Sequence, residues 1–214
     1  MIVKAYKIAH SLNNPEHLNA DDADRVDPLI ITPFLTLEEL KKSGAASIDI
    51  RLGCWFLMCK RSKIGTLNVY NHQDDAPCEE SLTKMYYVPF GKDFILHPKS
   101  FVLGVTLEWI RLPNNLAAYV VGRSSWGRQG LIIATATGVH PGFTGCLTLE
   151  LTNVGEVPIV MKPGTTICQL FFHQVDTDST SKVDISPFIG KRKPVLGTIK
   201  LDDVARKLCL PKSY

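Results

Sequence analysis

Apolar positions along the chain gather in short runs rich in Val, Ile, Leu, Thr and Phe, at residues 46–52, 101–112, 116–121, 131–137, 145–153, 157–161 and 165–175. Runs of this length and composition predict strands. Turn formers punctuate them: Pro113-Asn114-Asn115, Pro141-Gly142, Asn153-Val154-Gly155 and Lys162-Pro163-Gly164. Two segments predict short helices. Over 36–43, Thr36 can cap, Glu39 can reach back to the cap, Leu35 and Leu40 can staple, and Gly44 can end the helix. The second is expected near 202–210. A parallel α/β sheet would need helices between the strands, and they are missing, so the pattern predicts a mainly β fold, a sandwich, barrel or jelly roll.

The remaining stretches are polar. Residues 11–28 carry Glu16, Asp21, Asp22, Asp24 and Asp27 against Arg25 alone, which predicts a solvated surface arm. Residues 61–82 read as a polar loop and 176–183 as a linker, and no internal repeat is present. With 214 residues, 45% of them hydrophobic and 21% charged, the chain can bury a core, which excludes disorder as the whole answer. A net charge of +3 is too small for a face that holds nucleic acid by its phosphates. Six cysteines, at 54, 59, 78, 146, 168 and 209, form no Cys-x-x-Cys pair and no regular spacing, which suits reduced thiols better than a disulfide framework. The first ten residues show no secretory cleavage site, and no run of about 18 apolar residues occurs, so a soluble cytoplasmic protein without a membrane partner is expected.

Two segments could carry chemistry. Gly122-Arg123-Ser124-Ser125-Trp126-Gly127-Arg128-Gln129-Gly130 follows a strand and sets two guanidiniums and two hydroxyls among glycines. Glycine lets backbone approach a ligand, hydroxyls donate to oxygens, and arginine makes paired charge-assisted bonds, so the segment suits phosphate, although a polar turn would read the same. In Gly145-Cys146-Leu147-Thr148-Leu149-Glu150-Leu151-Thr152-Asn153, alternation puts Leu147, Leu149 and Leu151 on one face and Cys146, Thr148, Glu150 and Thr152 on the other. A solvent-facing strand can carry such a Glu. Small neighbours, however, leave room for a ligand, which makes Glu150 the best candidate for a general base.

Other chemistries find less support. Zinc nucleobase deaminases combine His-x-Glu with Pro-Cys-x-x-Cys. Here Pro77-Cys78 is followed by Glu79-Glu80, and no histidine stands two residues before a Glu. His97 and His173 occupy strand-like contexts that suit structural imidazoles. A serine-hydrolase elbow at Ser124 would need glycine where Trp126 stands.

Taken together, Gly122-Arg123-Ser124-Ser125-x-x-Arg128-x-Gly130-Leu131, Pro141-Gly142-Phe143-Thr144-Gly145-Cys146-x-Thr148-Leu149-Glu150 and Pro163-Gly164-x-x-Ile167-x-Gln169-Leu170 resemble the dCTP deaminase branch of the trimeric dUTPase superfamily. Ser47-Ile48-Asp49-Ile50-Arg51-Leu52-Gly53 and Leu96-His97-Pro98, leading into Val105-Thr106-Leu107-Glu108, agree with it, so the resemblance spans residues 46–170. It implies a distorted jelly-roll or dUTPase-like β-barrel over 1–175, with an N-terminal helical or arm segment, and a C-terminal lid and tail over 176–214. It also implies metal-independent hydrolysis of dCTP to dUTP and ammonia in a homotrimer whose sites lie between subunits. Mg²⁺ would accompany the triphosphate, and zinc would not take part. By the same resemblance Glu150 is the catalytic base, and Ser124 and Arg128 position water and that glutamate. Arg123 and Ser125 match triphosphate contacts, and Trp126 and Gln169 join them as substrate-binding residues. Ala136 and Thr148 line the base pocket.

Three departures stand out. The stretch 131–139 is one residue short and lacks a histidine usual before Ala134-Thr135-Ala136. His140 replaces the superfamily's aspartate near the deoxyribose, which argues against pyrophosphate release. The lid pattern is replaced by Pro187-Phe188-Ile189-Gly190-Lys191-Arg192-Lys193-Pro194, whose Lys191 and Arg192 could still close over a triphosphate. The alternatives are a dUTPase or bifunctional deaminase and diphosphatase, and a nucleotide-sensing module that keeps the fold without turnover.

Overall fold

The computed structural model describes residues 2, 29–33, 46–59, 83–176, 188–197 and 202–209. The acidic arm at 11–28, the helix expected at 36–43 and the loop at 61–82 lie outside these residues. Eleven strands are described: β1 (Ile30–Thr32), β2 (Ser47–Cys59), β3 (Thr83–Tyr87), β4 (Phe94–Leu96), β5 (Phe101–Arg111), β6 (Leu116–Gly122), β7 (Leu131–Ile133), β8 (Gly138–Val139), β9 (Thr144–Asn153), β10 (Ile159–Met161) and β11 (Thr166–Gln174). Helical turns are α1 (Ser124–Gly127) and α2 (Asp203–Cys209). No helix among the described residues is long and apolar enough to cross a membrane.

Chain contacts divide the protein into two compact units, 1–58 with 85–195, and 59–84 with 196–214. The described part of the smaller unit includes α2, which opens with Asp203 in its first turn and lies where the sequence predicts a helix. The larger unit holds nearly all of the sheet. Its strands run in the order β7-β9-β5-β2-β11-β6-β8, with β1 on β5 and β3 on β2, while β4 and β10 form a separate antiparallel pair. The mainly β expectation is therefore met.

β2 is the hinge of this arrangement. Its first half pairs with β11, from Ser47 opposite Phe171 to Arg51 opposite Thr166. Its second half pairs with β5, from Leu52 opposite Thr106 to Met58 opposite Val102. One strand thus serves two sheets, and side chains from both meet in one core: Ile48, Ile50, Val120 and Phe172 from one, Leu52, Phe56, Val102, Leu149 and Leu151 from the other. Phe56 stacks flat on Phe94 at 4.1 Å, tying the β4–β10 pair into that core.

Such a corner breaks ladder hydrogen bonds, and the freed donors need partners. The β5–β9 register shifts between Val105 and Trp109. There the Leu147 amide donates to the Thr106 hydroxyl at 2.9 Å, and that hydroxyl donates to the Glu108 carbonyl at 2.9 Å. The Arg51 amide and its Nε donate to the two carboxylate oxygens of Glu108, at 2.9 and 2.6 Å. Glu108 is 3% exposed, and among the described residues Arg51 is its ion-pair partner, whose Nη2 also reaches the Pro33 carbonyl at 3.0 Å. Gly53 completes the corner, because a Cβ there would lie 2.9 Å from the carbonyl oxygens of Val105 and Thr106.

The sequence predicts seven of these strands, with differing ends. The run at 46–52 continues to Cys59, since the corner re-pairs the chain instead of ending it. The run at 131–137 stops at Ile133. β1, β3, β4 and β8 are too short to stand out in the hydrophobic pattern, and their pairing supplies what composition does not.

Replacing Glu108 by Ala leaves the Arg51 amide and Nε without acceptors and the guanidinium without its counter-charge, and should lower unfolding free energy by about 3–5 kcal/mol in urea titration. Glu108→Gln keeps one acceptor oxygen and should lose less. Equal losses would mean that charge, rather than the geometry of two acceptors, holds the corner.

Candidate active site

Glu150 sits in the middle of β9, opposite Leu103 of β5. The predicted alternation is present: Leu147, Leu149 and Leu151 are buried, while Thr148, Glu150 and Thr152 are half-buried. Cys146 departs from it, being buried as well. The strand is held from its other edge. The Ala134 amide donates to the Glu150 carbonyl at 2.9 Å, and the Glu150 amide donates to the Thr135 hydroxyl at 2.8 Å. Thr135 thus supplies a side-chain acceptor where a strand carbonyl would have served, which is why β7 ends at Ile133. The result lays residues 134–136 along Glu150, with Ala136 exposed, and Thr148 two residues away on the same face.

The guanidinium and hydroxyl segment leaves β6 and forms a helical turn where the sequence reads as a loop. Arg123 is extended, with φ −75° and ψ 132°, and the Arg128 amide donates to the Ser124 carbonyl at 2.9 Å. Ser124, Ser125 and Arg128 are exposed. Half-buried Trp126 anchors the turn, its indole N–H donating to the Thr166 carbonyl at 2.8 Å. At the far end, the Val154 amide donates to the Gly130 carbonyl at 2.9 Å. Buried Asn153 braces this junction. Its amide donates to the carbonyls of Leu96 and Val157, and its oxygen accepts from the Gly155 amide. The sequence shows Asn153 only as a turn former, because the Leu96 carbonyl it also holds comes from a distant segment.

Arg123 and Gln169 converge on a residue that the candidate set omits. Arg123 Nη1 donates to Asp49 Oδ2 at 2.6 Å, and Gln169 Nε2 donates to Asp49 Oδ1 at 2.8 Å. Register explains the meeting: Gln169 on β11 faces Asp49 of β2 on one side and Val121 of β6 on the other. The alternation Ser47-Ile48-Asp49-Ile50-Arg51, a carboxylate in mid-strand, is the same signal that singles out Glu150.

His140, Lys191 and Arg192 stand elsewhere. His140 is exposed and accepts from the Phe143 amide through its carbonyl, in the turn before β9. The 188–195 segment lies along the start of β9, where the Gly190 amide donates to the Thr144 carbonyl at 2.8 Å and the Cys146 amide donates to the Lys191 carbonyl at 2.9 Å. Arg192 packs over Trp109 at 4.4 Å and Lys193 over Trp55 at 4.1 Å. Gly145 permits this contact: its φ is +148°, and a Cβ there would lie 3.2 Å from the Lys191 carbonyl oxygen. Burial pushes the Cys146 thiol up, and Arg192 partly opposes that. Burial pushes the Cys168 thiol further, to about 12. Cys54, Cys59, Cys146 and Cys168 are free cysteines.

The candidates therefore fall into two groups within one chain. Glu150 and residues 134–136 lie in the half of β9 toward which the Arg123–Arg128 turn is fastened, with Thr148 at mid-strand. The Lys191 contact at Cys146 is four residues earlier, about 13 Å along the strand. Among the described residues no hydrogen bond or ion pair joins the Glu150 carboxylate to Ser124 or Arg128.

The model of the dCTP deaminase-like family matches residues 18–175. The chain belongs to that family. The dCTP deaminase, dUMP-forming, of Methanobrevibacter smithii is 34% identical over 184 residues, covering 84% of this chain and 91% of the relative. That of Dictyoglomus thermophilum is 37% identical over 166 residues, covering 76% and 83%. The crystal structure of 2'-deoxycytidine 5'-triphosphate deaminase from Agrobacterium tumefaciens aligns with a TM-score of 0.54 at 19% identity, covering 80% of this chain and 46% of that one, and shares the fold. This member of the dCTP deaminase-like family is an enzyme, a hydrolase of the deaminase kind.

The bond from Thr135 to the Glu150 amide yields a direct test. Thr135→Val leaves that amide without its partner at nearly unchanged volume, and should lower stability by about 1–3 kcal/mol. Hydrogen exchange should accelerate at the Glu150 amide before it does at Leu149. Unchanged protection at Glu150 would show that this hydroxyl does not hold the strand.

Proposed function

We propose that this enzyme hydrolyses dCTP to dUMP, releasing ammonia and pyrophosphate, with Glu150 as the proton-transfer group. The observation that carries the reading is a half-buried carboxylate in mid-strand, beside Thr148 and residues 134–136, in a chain whose relatives are named dCTP deaminase, dUMP-forming. In the first step water adds to C4 of the cytosine and its proton passes to Glu150. The C4–N4 bond then breaks as Glu150 returns the proton to the departing amine, which leaves as ammonia. One carboxylate serves as base and then as acid. In the second step water attacks the α-phosphorus, the α–β phosphoanhydride bond breaks, and pyrophosphate departs.

The product departs from the sequence-based expectation of dUTP. That expectation follows from the resemblance to the dCTP deaminase branch, and His140 in place of an aspartate is its argument against pyrophosphate release, yet an imidazole can also accept a proton from water. Relatives named for dUMP formation weigh toward the second hydrolysis, which the sequence reading holds as an alternative.

Arg123, Ser125 and Gln169 are proposed triphosphate ligands, with Trp126 fixing their turn and Ala136 and Thr148 lining the base pocket. Ser124 and Arg128 are proposed to orient the attacking water and Glu150. Because these side chains do not engage Glu150 within a chain, the reading places them opposite the Glu150 of a neighbouring subunit in a homotrimer. His140, Lys191 and Arg192, at the other end of β9, would then approach a neighbour's substrate. Among the described residues no group of three His, Cys, Asp or Glu side chains is placed to hold a metal ion. Phosphate oxygens and water would therefore supply most of the coordination of a Mg²⁺ accompanying dCTP, and the ion would offset triphosphate charge.

Ammonia and pyrophosphate should appear from dCTP in equal amounts, with dUMP and no accumulating dUTP. Stoichiometric dUTP would remove the second step and leave a simple deaminase. Glu150→Gln should lower ammonia release by about 10²–10⁴-fold, while dCTP affinity stays within a few-fold. An active Glu150→Gln variant would defeat the assignment of the base.

Subunit sharing is testable by mixing. Glu150→Gln and Arg128→Ala chains, each inactive alone, should regain part of the activity when unfolded and refolded together, in an assembly about three times 23.7 kDa. No regain, with co-assembly shown by mass, would place all catalytic groups in one subunit.

A further inference from the structure

We infer that Asp49 is a positioning residue for the polyphosphate of the substrate, aligning Arg123 and Gln169 from the neighbouring strand. This rests on the proposed reading that Arg123 and Gln169 hold the triphosphate. Both carboxylate oxygens of Asp49 are committed, Oδ2 to Arg123 at 2.6 Å and Oδ1 to Gln169 at 2.8 Å. Its rotamer is thus gripped from two strands, and it in turn fixes two long polar side chains that would otherwise sample many rotamers.

The grip leaves binding capacity free. A guanidinium carries five N–H donors in a rigid fork, and Asp49 engages Nη1 alone. Arg123 and Asp49 are 36% and 37% exposed, so the rest of the fork remains accessible to an incoming anion. Gln169 keeps a second amide N–H and its oxygen. The arrangement resembles the way a carboxylate orients a metal-bound or catalytic side chain from behind: the ligand meets a preset donor array, and the ordering entropy is settled before binding.

The sign of the mutational effect separates this role from a simple counterion. A carboxylate 2.6 Å from Arg123 repels a polyanion, so removing it should tighten triphosphate binding if its charge were all that mattered. If Asp49 positions Arg123 and Gln169, its removal weakens binding despite the relieved repulsion.

The experiment measures binding of inorganic tripolyphosphate and of dCTP to the full-length parent, Asp49→Ala and Asp49→Asn by calorimetry, with steady-state ammonia release alongside. Expected are a five- to twenty-fold loss of affinity for both ligands in Asp49→Ala and a smaller loss in Asp49→Asn, which can still accept one of the two bonds. KM for dCTP should rise by a similar factor while kcat stays within three-fold. In a chain already carrying Arg123→Ala and Gln169→Ala, the further change Asp49→Ala should no longer weaken binding, and relief of the carboxylate's repulsion should leave affinity equal or tighter. If Asp49→Ala does not fold, Asp49→Asn alone carries the test, its thermal midpoint matched to the parent. Unchanged or tighter binding, a fall in kcat without a rise in KM, persistence of the full loss in the triple variant, or a parent that binds no tripolyphosphate would overturn the inference. A parent that releases no ammonia, with Asp49→Ala still weakening tripolyphosphate, would defeat the deaminase reading and leave the positioning role standing.

Discussion

The corner at which β2 passes from β11 to β5 governs the rest of the larger unit. A strand that changes sheets must give up some of its ladder, and unpaired amides in a core are too costly to leave. Here two side chains close the gap. Thr106 accepts the Leu147 amide, and Glu108 takes two donors of Arg51 at only 3% exposure. Gly53 lets the strands approach where any Cβ would strike carbonyl oxygens. With the corner set, both sheets share one core, and β9 runs across it with Glu150 on its outer face.

From that frame the site follows by register. β11 lies between β2 and β6, so Gln169 meets Asp49 on one flank while β6 delivers Arg123 to the same carboxylate. β7 lies beside β9, and its continuation stays fastened to Glu150 by the Thr135 hydroxyl and the Ala134 amide. The Val154 amide joins the end of β9 to the turn after α1, and the Asn153 side chain holds the following Gly155 amide. The Asp49 cluster on β2 and β11 and Glu150 on β9 are thereby built into one sheet, with β5 between β2 and β9, where a polar side chain can be aimed with little freedom to stray.

The basic segment behaves differently from the solvated tail its charge suggests. Lys191, Arg192 and Lys193 are consecutive cations, yet the backbone of this segment bonds to Thr144 and Cys146, and Arg192 and Lys193 lie on the rings of Trp109 and Trp55. Cation–π packing lets the charges remain partly hydrated while their stems cover apolar surface. This holds the segment at the opposite end of β9 from the Arg123 turn.

Sequence alone determined the mainly β class, the two chemical segments and the face on which Glu150 lies, because period-two alternation and turn residues are local signals that survive without a partner strand. It also singled out Arg123 and Glu150 by residue type and setting, and Gln169 through the family resemblance. It did not reveal Asp49 as the link between Arg123 and Gln169, Thr135 as the brace of Glu150, or Thr106 and Glu108 as substitutes for lost ladder bonds. Those roles depend on which strands become neighbours and in what register. A shift of one residue reverses every side chain, and only the folded core, by burying one face and exposing the other, selects a single register.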